Sequence, residues 1–179
     1  MAVTNGERRA DNTMTTTITI REASIKDLAA INELIDAAIM TWDVPERVKR
    51  LSLPSYHYMR HDLETLKLVV AENSEQRIVG VAAWEQADTK DTPQGQRALL
   101  LHGIYVDPKH HRLGIGSQLL HAAEQAAVNQ DYSGLLVKAQ TNAAGFFLAQ
   151  GMQTLKVENE KRDYAHRYWK SIKKKGETK

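Results

Sequence analysis

The sequence predicts a single α+β domain with one sheet of about six or seven strands. Three observations support this fold class. Short runs rich in β-branched and apolar residues recur along the chain, and segments between them carry apolar residues at helical spacing. The chain has 179 residues, of which 42% are hydrophobic, so one domain with a substantial core is expected. No segment of the sequence repeats another.

The first part of the domain predicts a strand and then a helix. The stretch "TTITIREA" (16–23) alternates β-branched and polar residues, as a half-buried strand does. Ser24 is an N-cap, and Asp27 completes a capping box with it. The helix that this box starts has apolar residues at Ile25, Leu28, Ile31, Leu34, Ile35, Ala38 and Ile39.

The next part of the chain predicts an irregular segment followed by a hairpin. Residues 43–62 are less regular, with Pro45 and Pro54 as helix breakers. The runs "LKLVVAE" (66–72) and "RIVGVAAWEQ" (77–86) are rich in β-branched residues. The short polar stretch "NSEQ" joins them, which is typical of a hairpin.

The second half of the domain predicts a buried strand, an amphipathic helix and several short elements. "ALLLHGIYV" (98–106) is almost continuously apolar, as expected of a strand covered on both faces. The following helix has apolar residues at Ile115, Leu119, Leu120, Ala123, Ala126 and Ala127. We then expect a strand at 134–140, a short helix at 142–150 that ends at Gly151, and two late strands, "MQTLKVE" and "HRYWKSI".

The ends and the overall composition limit the class of protein. Residues 1–14 predict a disordered leader, residues 15–173 the domain, and residues 174–179 a flexible basic tail. The 24 Lys and Arg nearly balance the 22 Asp and Glu, so no nucleic-acid partner is expected. The chain has no cysteine and no apolar run near the roughly 18 residues of a membrane span, so we expect a cytoplasmic protein without membrane attachment.

The stretch "HHRLGIGSQLL" (110–120) places two glycines at the start of the amphipathic helix. The N–H groups at a helix start attract anions, Gly114 and Gly116 allow a close approach, and Arg112 adds a charged donor. The simpler interpretation is a glycine-assisted tight turn. Leu119 excludes a Rossmann fingerprint, because that motif has glycine or alanine there, and the Gly-Lys-Ser/Thr of a P-loop is missing.

Two segments together resemble the GNAT superfamily of N-acyltransferases. "LHGIYVDPKHHRLGIGSQLLHAA" (101–123) resembles its acyl-CoA-binding segment, in which a strand with an apolar-Tyr-Val-type end precedes a Q/R-x-x-G-x-G/A loop and a helix. "VKAQTNAAGFFLAQGM" (137–152) resembles the following segment, which carries an A-x-x-F-Y-x-x-x-G-F pattern. The order of elements agrees over about residues 17–172.

The resemblance implies a mixed, mostly antiparallel sheet, splayed near the cofactor-binding strand and flanked by about four helices. It implies acetyl-CoA as the acyl donor and coenzyme A as a product. Backbone groups of Ile104, Tyr105 and Val106 would pair with the pantetheine arm, and an amide at or just before Val106 would hold the thioester oxyanion. A bulge at Gly103 would help to open the splay. Further cofactor contacts are expected from His111, Arg112, Leu113, Gly114, Ile115, Gly116, Ser117, Ala143, Phe146 and Phe147.

The sequence departs from the family pattern at two positions. His111 stands where the family usually has glutamine or arginine. Phe147 stands in the place of a frequent tyrosine, the family's presumed acid for the departing thiolate, and phenylalanine has no proton to give. We expect catalysis with water or another residue as the acid. The alternative is a catalytically weak or inactive acyl-CoA-binding module that regulates a partner protein.

An amine acceptor requires a base, because an alkyl ammonium group with a pKa near 10 cannot attack a thioester. Glu85 ends the second hairpin strand, and His102 lies in the cofactor-binding strand. Many family members have an acidic residue at the position of Leu100. Glu85 and His102 are therefore both candidate catalytic residues, with a solvated carboxylate and a core histidine as the simpler interpretations. The adjacent His110 and His111 point apart in an extended loop, so no metal site is predicted.

The acceptor is expected to bind near residues 40–62 and the late strands. Its candidate contacts, which are also typical of core or lid packing, are Trp42, Asp43, Glu46, Tyr56, Tyr58, Tyr164 and Trp169. The sequence thus predicts an acetyl-CoA-dependent N-acetyltransferase that acts on a primary amine of a small molecule or peptide, by direct attack in a ternary complex. Homodimers are a common assembly of such domains. A domain that binds a different phosphate is the third hypothesis.

Overall fold

The computed structural model describes residues 17–157 and 163–173. The predicted leader (1–14) and basic tail (174–179) lie outside the described residues. In the described part, seven strands and five α-helices follow one another in the order β1 (Thr19–Glu22), α1 (Leu28–Met40), α2 (Glu46–Tyr56), α3 (Asp62–Thr65), β2 (Lys67–Glu72), β3 (Ile78–Gln86), β4 (Ala98–Val106), α4 (Ile115–Asn129), β5 (Gly134–Lys138), α5 (Ala144–Ala149), β6 (Gln153–Thr154) and β7 (Arg167–Ser171).

The strands form one sheet in the order β1-β2-β3-β4-β5-β7-β6. β1 to β4 form an antiparallel meander, and β7 runs antiparallel to both β5 and β6. β4 and β5 are parallel, because α4 carries the chain back across one face of the sheet between them. The prediction of a mixed, mostly antiparallel sheet is confirmed.

The helices α1 and α4 contribute to two separate apolar clusters on the sheet. Successive residues of a strand face opposite sides of a sheet. Accordingly Val70 of β2 packs in a cluster with Ile35 of α1, while its neighbour Ala71 packs in another cluster with Leu119 of α4. Because both faces of the central strands are buried, these strands appear in the sequence as apolar runs rather than as an alternating pattern.

The start of α1 confirms the predicted capping box. The Ser24 N–H donates to Asp27 Oδ2 at 2.7 Å, and Ile25–Asp27 form a 3₁₀ turn that continues into α1. Arg21 donates to both oxygens of the same carboxylate at 3.0 Å. These bonds from Arg21 lower the pKa of Asp27 to about 2. Asp27 therefore holds a negative charge at the helix N-terminus, where the helix dipole favours it.

Residues 43–62, predicted to be irregular, instead contain α2 and the start of α3. Pro45 precedes α2 as expected, but Pro54 lies inside it, so the prediction that Pro54 breaks a helix is wrong. The physical reason is its position. Pro54 lies in the last turn, two residues before α2 ends, so the hydrogen bond lost to the missing N–H leaves the preceding turns intact.

A bulge in β4 opens the sheet beside β5. Trp84 pairs with Leu101, but Ala83 pairs with Gly103, so His102 is an extra residue in the strand. The parallel pairing with β5 also ends at Leu101, whereas β4 continues to its C-terminal end. The predicted bulge and splay are thus confirmed. The second half of β4 is only partly buried, so the expectation of a strand covered on both faces holds for its first half.

Gly134, at the start of β5, allows the Trp169 indole to lie against the backbone. A Cβ atom at this position would lie 2.1 Å from Trp169 Cζ2, far inside van der Waals contact. We expect Gly134→Ala to destabilise the protein by about 1–3 kcal/mol, as overpacked cores do. For a domain of this size, at about 2–4 °C for each kcal/mol, the melting temperature should fall by roughly 2–12 °C.

Gly145→Ala is the matched control for this substitution. Gly145 is a residue of α5, and apart from its chain neighbours and the backbone of its own helix, no heavy atom in the described part of the chain lies within 4 Å of a Cβ built there. Thermal unfolding of both variants should show a loss for Gly134→Ala and no loss for Gly145→Ala. Equal melting temperatures for Gly134→Ala and the wild type would show that Trp169 does not require this glycine.

Candidate active site

A cavity of about 700 Å³ occupies the slot where β4 and β5 separate. Its walls come from α1, α2, β4, α4, β5, α5 and the loop before α4. Two of the predicted catalytic and cofactor-binding residues do not line it: the exposed Leu113, and Glu85, which bonds to a residue of the wall. The others lie together on its surface, namely His102, Ile104, Tyr105, Val106, His111, Arg112, Gly114, Ile115, Gly116, Ser117, Ala143, Phe146 and Phe147.

The loop between β4 and α4 turns through two residues with left-handed backbone. Arg112 has φ 64° and Gly114 has φ 76°. His111 Nε2 lies 3.2 Å from the Val106 carbonyl oxygen, which holds the loop against the end of β4. α4 begins directly after Gly114, and the first N–H groups of a helix have no partner within it. Because these residues line the cavity, this end of the cavity suits a negatively charged group.

The second half of β4 presents a backbone edge to the slot. Ile104, Tyr105 and Val106 pair with β3, while the pairing of β4 with β5 has already ended. Backbone groups of a strand point alternately to its two neighbours. The groups that point away from β3 can therefore bond to an extended ligand, as they would to an additional strand.

The bulge brings the two candidate bases together as one pair. His102 Nε2 lies 2.7 Å from Glu85 Oε1. The side chains are 35% and 41% exposed, so the pair is accessible from solvent. His102 lines the cavity and Glu85 supports it from β3, at the position that pairs with Leu100. From the sequence each residue is a separate candidate base, whereas in the structure the two side chains contact each other.

The wall formed by α5 is aromatic. Phe147 is buried and stacks on Tyr168, with ring centroids 5.8 Å apart, and packs edge to face with Phe146 at 5.1 Å. This packing explains why a phenylalanine is well accommodated at position 147. Because of this packing, the cavity wall at Phe147 is an apolar surface without a proton donor.

The aromatic candidates for acceptor binding divide into two groups. Trp42 and Tyr56 line the cavity and pack edge to face at 5.3 Å. Tyr58 and Trp169 are buried in apolar clusters and do not line the cavity, so they belong to the core. The remaining candidates also lie outside the lining: Asp43, Glu46 and Tyr164.

Two polar residues at the end of β5 are cavity residues that the sequence analysis does not identify. Lys138 Nζ donates to Asp91 Oδ2 at 2.8 Å, and Gln140 Nε2 donates to the Tyr56 hydroxyl at 3.1 Å. Their position in the sequence is the feature that could have identified both as cavity residues. Lys138 ends the strand that follows the anion-binding helix and Gln140 lies two residues after it, where a splayed sheet exposes side chains to the slot.

Burial raises the pKa of two tyrosines in this part of the molecule, Tyr58 and Tyr105. Desolvation is the main cause for both Tyr58 and Tyr105, because a phenolate is disfavoured away from water. The neighbouring Tyr105 adds to the effect at Tyr58, and Tyr56 adds to it at Tyr105. Both side chains therefore stay neutral at physiological pH.

Two kinds of feature are absent from the described residues. No group of three or more histidine, cysteine, aspartate or glutamate side chains is placed to hold a metal ion in the described part of the chain. None of the helices described there has the length and apolar character needed to span a membrane.

Comparisons with known proteins find the same architecture in solved acetyltransferases. The PaiA N-acetyltransferase from Thermoplasma acidophilum, in complex with coenzyme A, superposes with a TM-score of 0.70 at 15% identity, covering 87% of this chain and 99% of that one. A GCN5-related N-acetyltransferase from Rhodopseudomonas palustris gives 0.69 at 22% identity, covering 87% and 96%. A GNAT family acetyltransferase from Brucella melitensis, in complex with acetyl-CoA, gives 0.60 at 15% identity, covering 88% and 89%.

The sequence comparisons identify the family. No curated protein matches the chain. The family model of the acetyltransferase (GNAT) domain matches residues 44–168, a range that runs from the segment before α2 into β7 and contains most of the slot. The chain belongs to the GNAT family of acetyltransferases.

Proposed function

We propose that the protein transfers the acetyl group of acetyl-CoA to the nitrogen of a primary amine, by direct attack in a ternary complex. One observation carries this proposal: the 2.7 Å contact of His102 with Glu85, on the wall of a cavity built between splayed strands. Amine acylation needs a base within reach of the attacking nitrogen. The pair supplies one beside the slot in which a thioester would lie.

The cavity surface matches the parts of acetyl-CoA in order. Amides from Arg112 to Ser117 would bind the pyrophosphate at the start of α4, and the β4 edge from Ile104 to Val106 would bind the pantetheine arm. Ala143 and Phe146 would pack against the apolar portion of that arm. The coenzyme A and acetyl-CoA complexes of the Thermoplasma and Brucella proteins, which share this fold, support the same donor here.

His102 is the proposed base, and Glu85 is the residue that positions it. His102 lines the cavity, whereas Glu85 lies outside the lining and bonds to the imidazole. When Nε2–H donates to the carboxylate, Nδ1 is left as the proton acceptor. The carboxylate then stabilises the imidazolium that forms as the amine gives up its proton, directly or through a water molecule.

The reaction proceeds by addition to the thioester carbonyl. The amine nitrogen attacks the carbonyl carbon, and a backbone amide at or just before Val106 stabilises the developing oxyanion. Collapse of the tetrahedral intermediate breaks the carbon–sulfur bond, and coenzyme A leaves as the thiolate. The products are an N-acetylated amine, coenzyme A and one proton.

A screen of primary amines tests this function. Purified protein is incubated with acetyl-CoA and a panel of alkylamines, arylalkylamines, amino acids and peptides, and free thiol is measured continuously. We expect at least one amine to raise the rate of thiol release well above the rate without amine. Isothermal titration with acetyl-CoA, run in parallel, measures binding independently of transfer. Tight binding with no amine-dependent thiol release across the panel would favour a regulatory acyl-CoA-binding module and contradict the proposal.

A further inference from the structure

We propose that the Tyr56 phenol protonates the departing coenzyme A thiolate. Phe147 cannot do so, because a phenylalanine side chain has no proton to donate. This inference rests on the proposed function. It goes beyond the family resemblance, because the proton donor would come from α2 rather than from α5. Three features support it: the place of Tyr56 in the cavity, the bonding of its hydroxyl, and the engagement of three other protic side chains of the cavity.

Phe147 and its surroundings explain why the donor must come from elsewhere. The ring is 4% exposed and is held between Phe146 and Tyr168. Tyr168 does not line the cavity, so its phenol is not available as a replacement. The α5 side of the slot thus has apolar rings at this position.

Tyr56 reaches the same slot from a different element. It is the last residue of α2, and its ring packs perpendicular to the Trp42 indole, with ring centroids 5.3 Å apart. Its hydroxyl is 3.1 Å from Gln140 Nε2, and Gln140 follows β5 after a single residue. The bond joins two parts of the chain that are 84 residues apart, so the phenol is fixed beside the separated ends of the strands.

The hydrogen bond to Gln140 leaves the phenol proton available. The amide nitrogen of Gln140 donates and the Tyr56 oxygen accepts, so this contact does not use the O–H proton. A phenol held this way can give a proton to the slot and then recover one from solvent, since Tyr56 is partly exposed.

Three other protic side chains of the cavity already have partners. Lys138 bonds to Asp91 at 2.8 Å, and His110 bonds to Asp107 at 3.2 Å. His102 bonds to Glu85 and is the proposed base. Each of these groups would therefore have to break its present contact before it could protonate the sulfur.

Tyr105 is the other phenol on the cavity wall, and it is the residue to distinguish from Tyr56. Its ring folds back over Gly103, where a Cβ atom would lie 2.8 Å from Tyr105 Cε2. The ring also packs with the apolar cluster under α1. Tyr105 is thus placed as a wall of the slot, with its hydroxyl near the bulge.

The proposed step conserves atoms and charge. The carbon–sulfur bond of the tetrahedral intermediate breaks, and its electron pair goes to sulfur. The thiolate takes the proton of the Tyr56 hydroxyl and leaves as the thiol. The phenolate is reprotonated by water, while the proton lost by the amine leaves through His102. No oxidant or further reactant is required.

Tyr56→Phe tests the proposal, with Tyr132→Phe as the matched control. Tyr132 donates its hydroxyl proton to Gln86 Oε1 at 3.1 Å and does not line the cavity. Thiol release from acetyl-CoA is measured both with n-butylamine and the amine panel and with water as the only acceptor, because sulfur must be protonated in either reaction. We expect Tyr56→Phe to lower kcat in both by about 100-fold, the low end for general acid catalysis, since thiols leave readily.

Two readouts separate an acid from a structural residue. In Tyr56→Phe the Kd of acetyl-CoA should stay within about twofold of the wild type while kcat falls, and Tyr132→Phe should keep the wild-type rate. Wild-type rates in Tyr56→Phe, or a large loss in Tyr105→Phe instead, would overturn the proposal. If no amine accelerates thiol release, the proposed function fails. The reaction with water then still decides the role of Tyr56.

Discussion

Replacing His102 with glutamine is expected to slow acetyl transfer by about 10²- to 10⁴-fold, the usual contribution of a general base. The reason is the geometry of the β4 bulge, which places the imidazole on the cavity wall with Glu85 behind it at 2.7 Å. Glutamine keeps a polar side chain of similar size but cannot take a proton from the amine. The affinity for acetyl-CoA should stay within about twofold, because the base acts on the acceptor.

The test measures kcat and KM of thiol release for His102→Gln, Glu85→Gln and the control His121→Gln. His121 lies on α4 with a side chain that is 66% exposed, and it does not line the cavity. We expect wild-type activity for the control and a loss of about tenfold for Glu85→Gln, which retains a hydrogen-bonding partner for the imidazole. A larger loss in Glu85→Gln than in His102→Gln would show that the carboxylate itself is the base.

Replacing Gly116 with valine is expected to weaken acetyl-CoA binding by at least about 100-fold. Gly116 is the second residue of α4 and lines the cavity where the pyrophosphate would bind. A Cβ atom there would lie 3.2 Å from the Phe146 ring, so a branched side chain must displace that ring or fill the cradle. Losing two charge-assisted amide bonds of about 1.5–3 kcal/mol each accounts for such a loss.

Calorimetric titration of acetyl-CoA against a graded series measures this effect. Gly116→Ala should lose less affinity than Gly116→Val, because only the branched side chain reaches past the Cβ position. Gln125→Val, at an exposed position of α4, is the control for the helix cost of valine and should bind acetyl-CoA normally. If Gly116→Val binds as tightly as the wild type, the pyrophosphate does not bind at the start of α4.

The order of elements and the anion-binding loop follow from local sequence. Capping residues, apolar periodicity and the two glycines before α4 act over a few positions, so they can be recognised without knowing the rest of the fold. Gly103 also marks a bulge on local grounds, because a glycine inside an apolar strand weakens regular pairing. Together with the family resemblance, these local features are sufficient to place the slot beside the second half of β4.

The arrangement of side chains within the cavity depends on contacts that are distant in sequence. The pairing of His102 with Glu85 requires the register of β3 and β4 on both sides of the bulge, which the composition of neither strand specifies. The bond between Tyr56 and Gln140 spans 84 residues and requires α2 to continue through Pro54. Both contacts are set by packing between elements, and packing is not encoded in local patterns.

The most direct test of the central claim follows the acetyl group itself. Protein, acetyl-CoA labelled with deuterium in the acetyl methyl group, and the primary-amine panel are incubated, and the small-molecule products are analysed by mass spectrometry. The proposed function predicts an amine that carries the labelled acetyl group on nitrogen, formed in proportion to the coenzyme A released. Labelled acetate with every amine unchanged, or no release of coenzyme A at all, would contradict it.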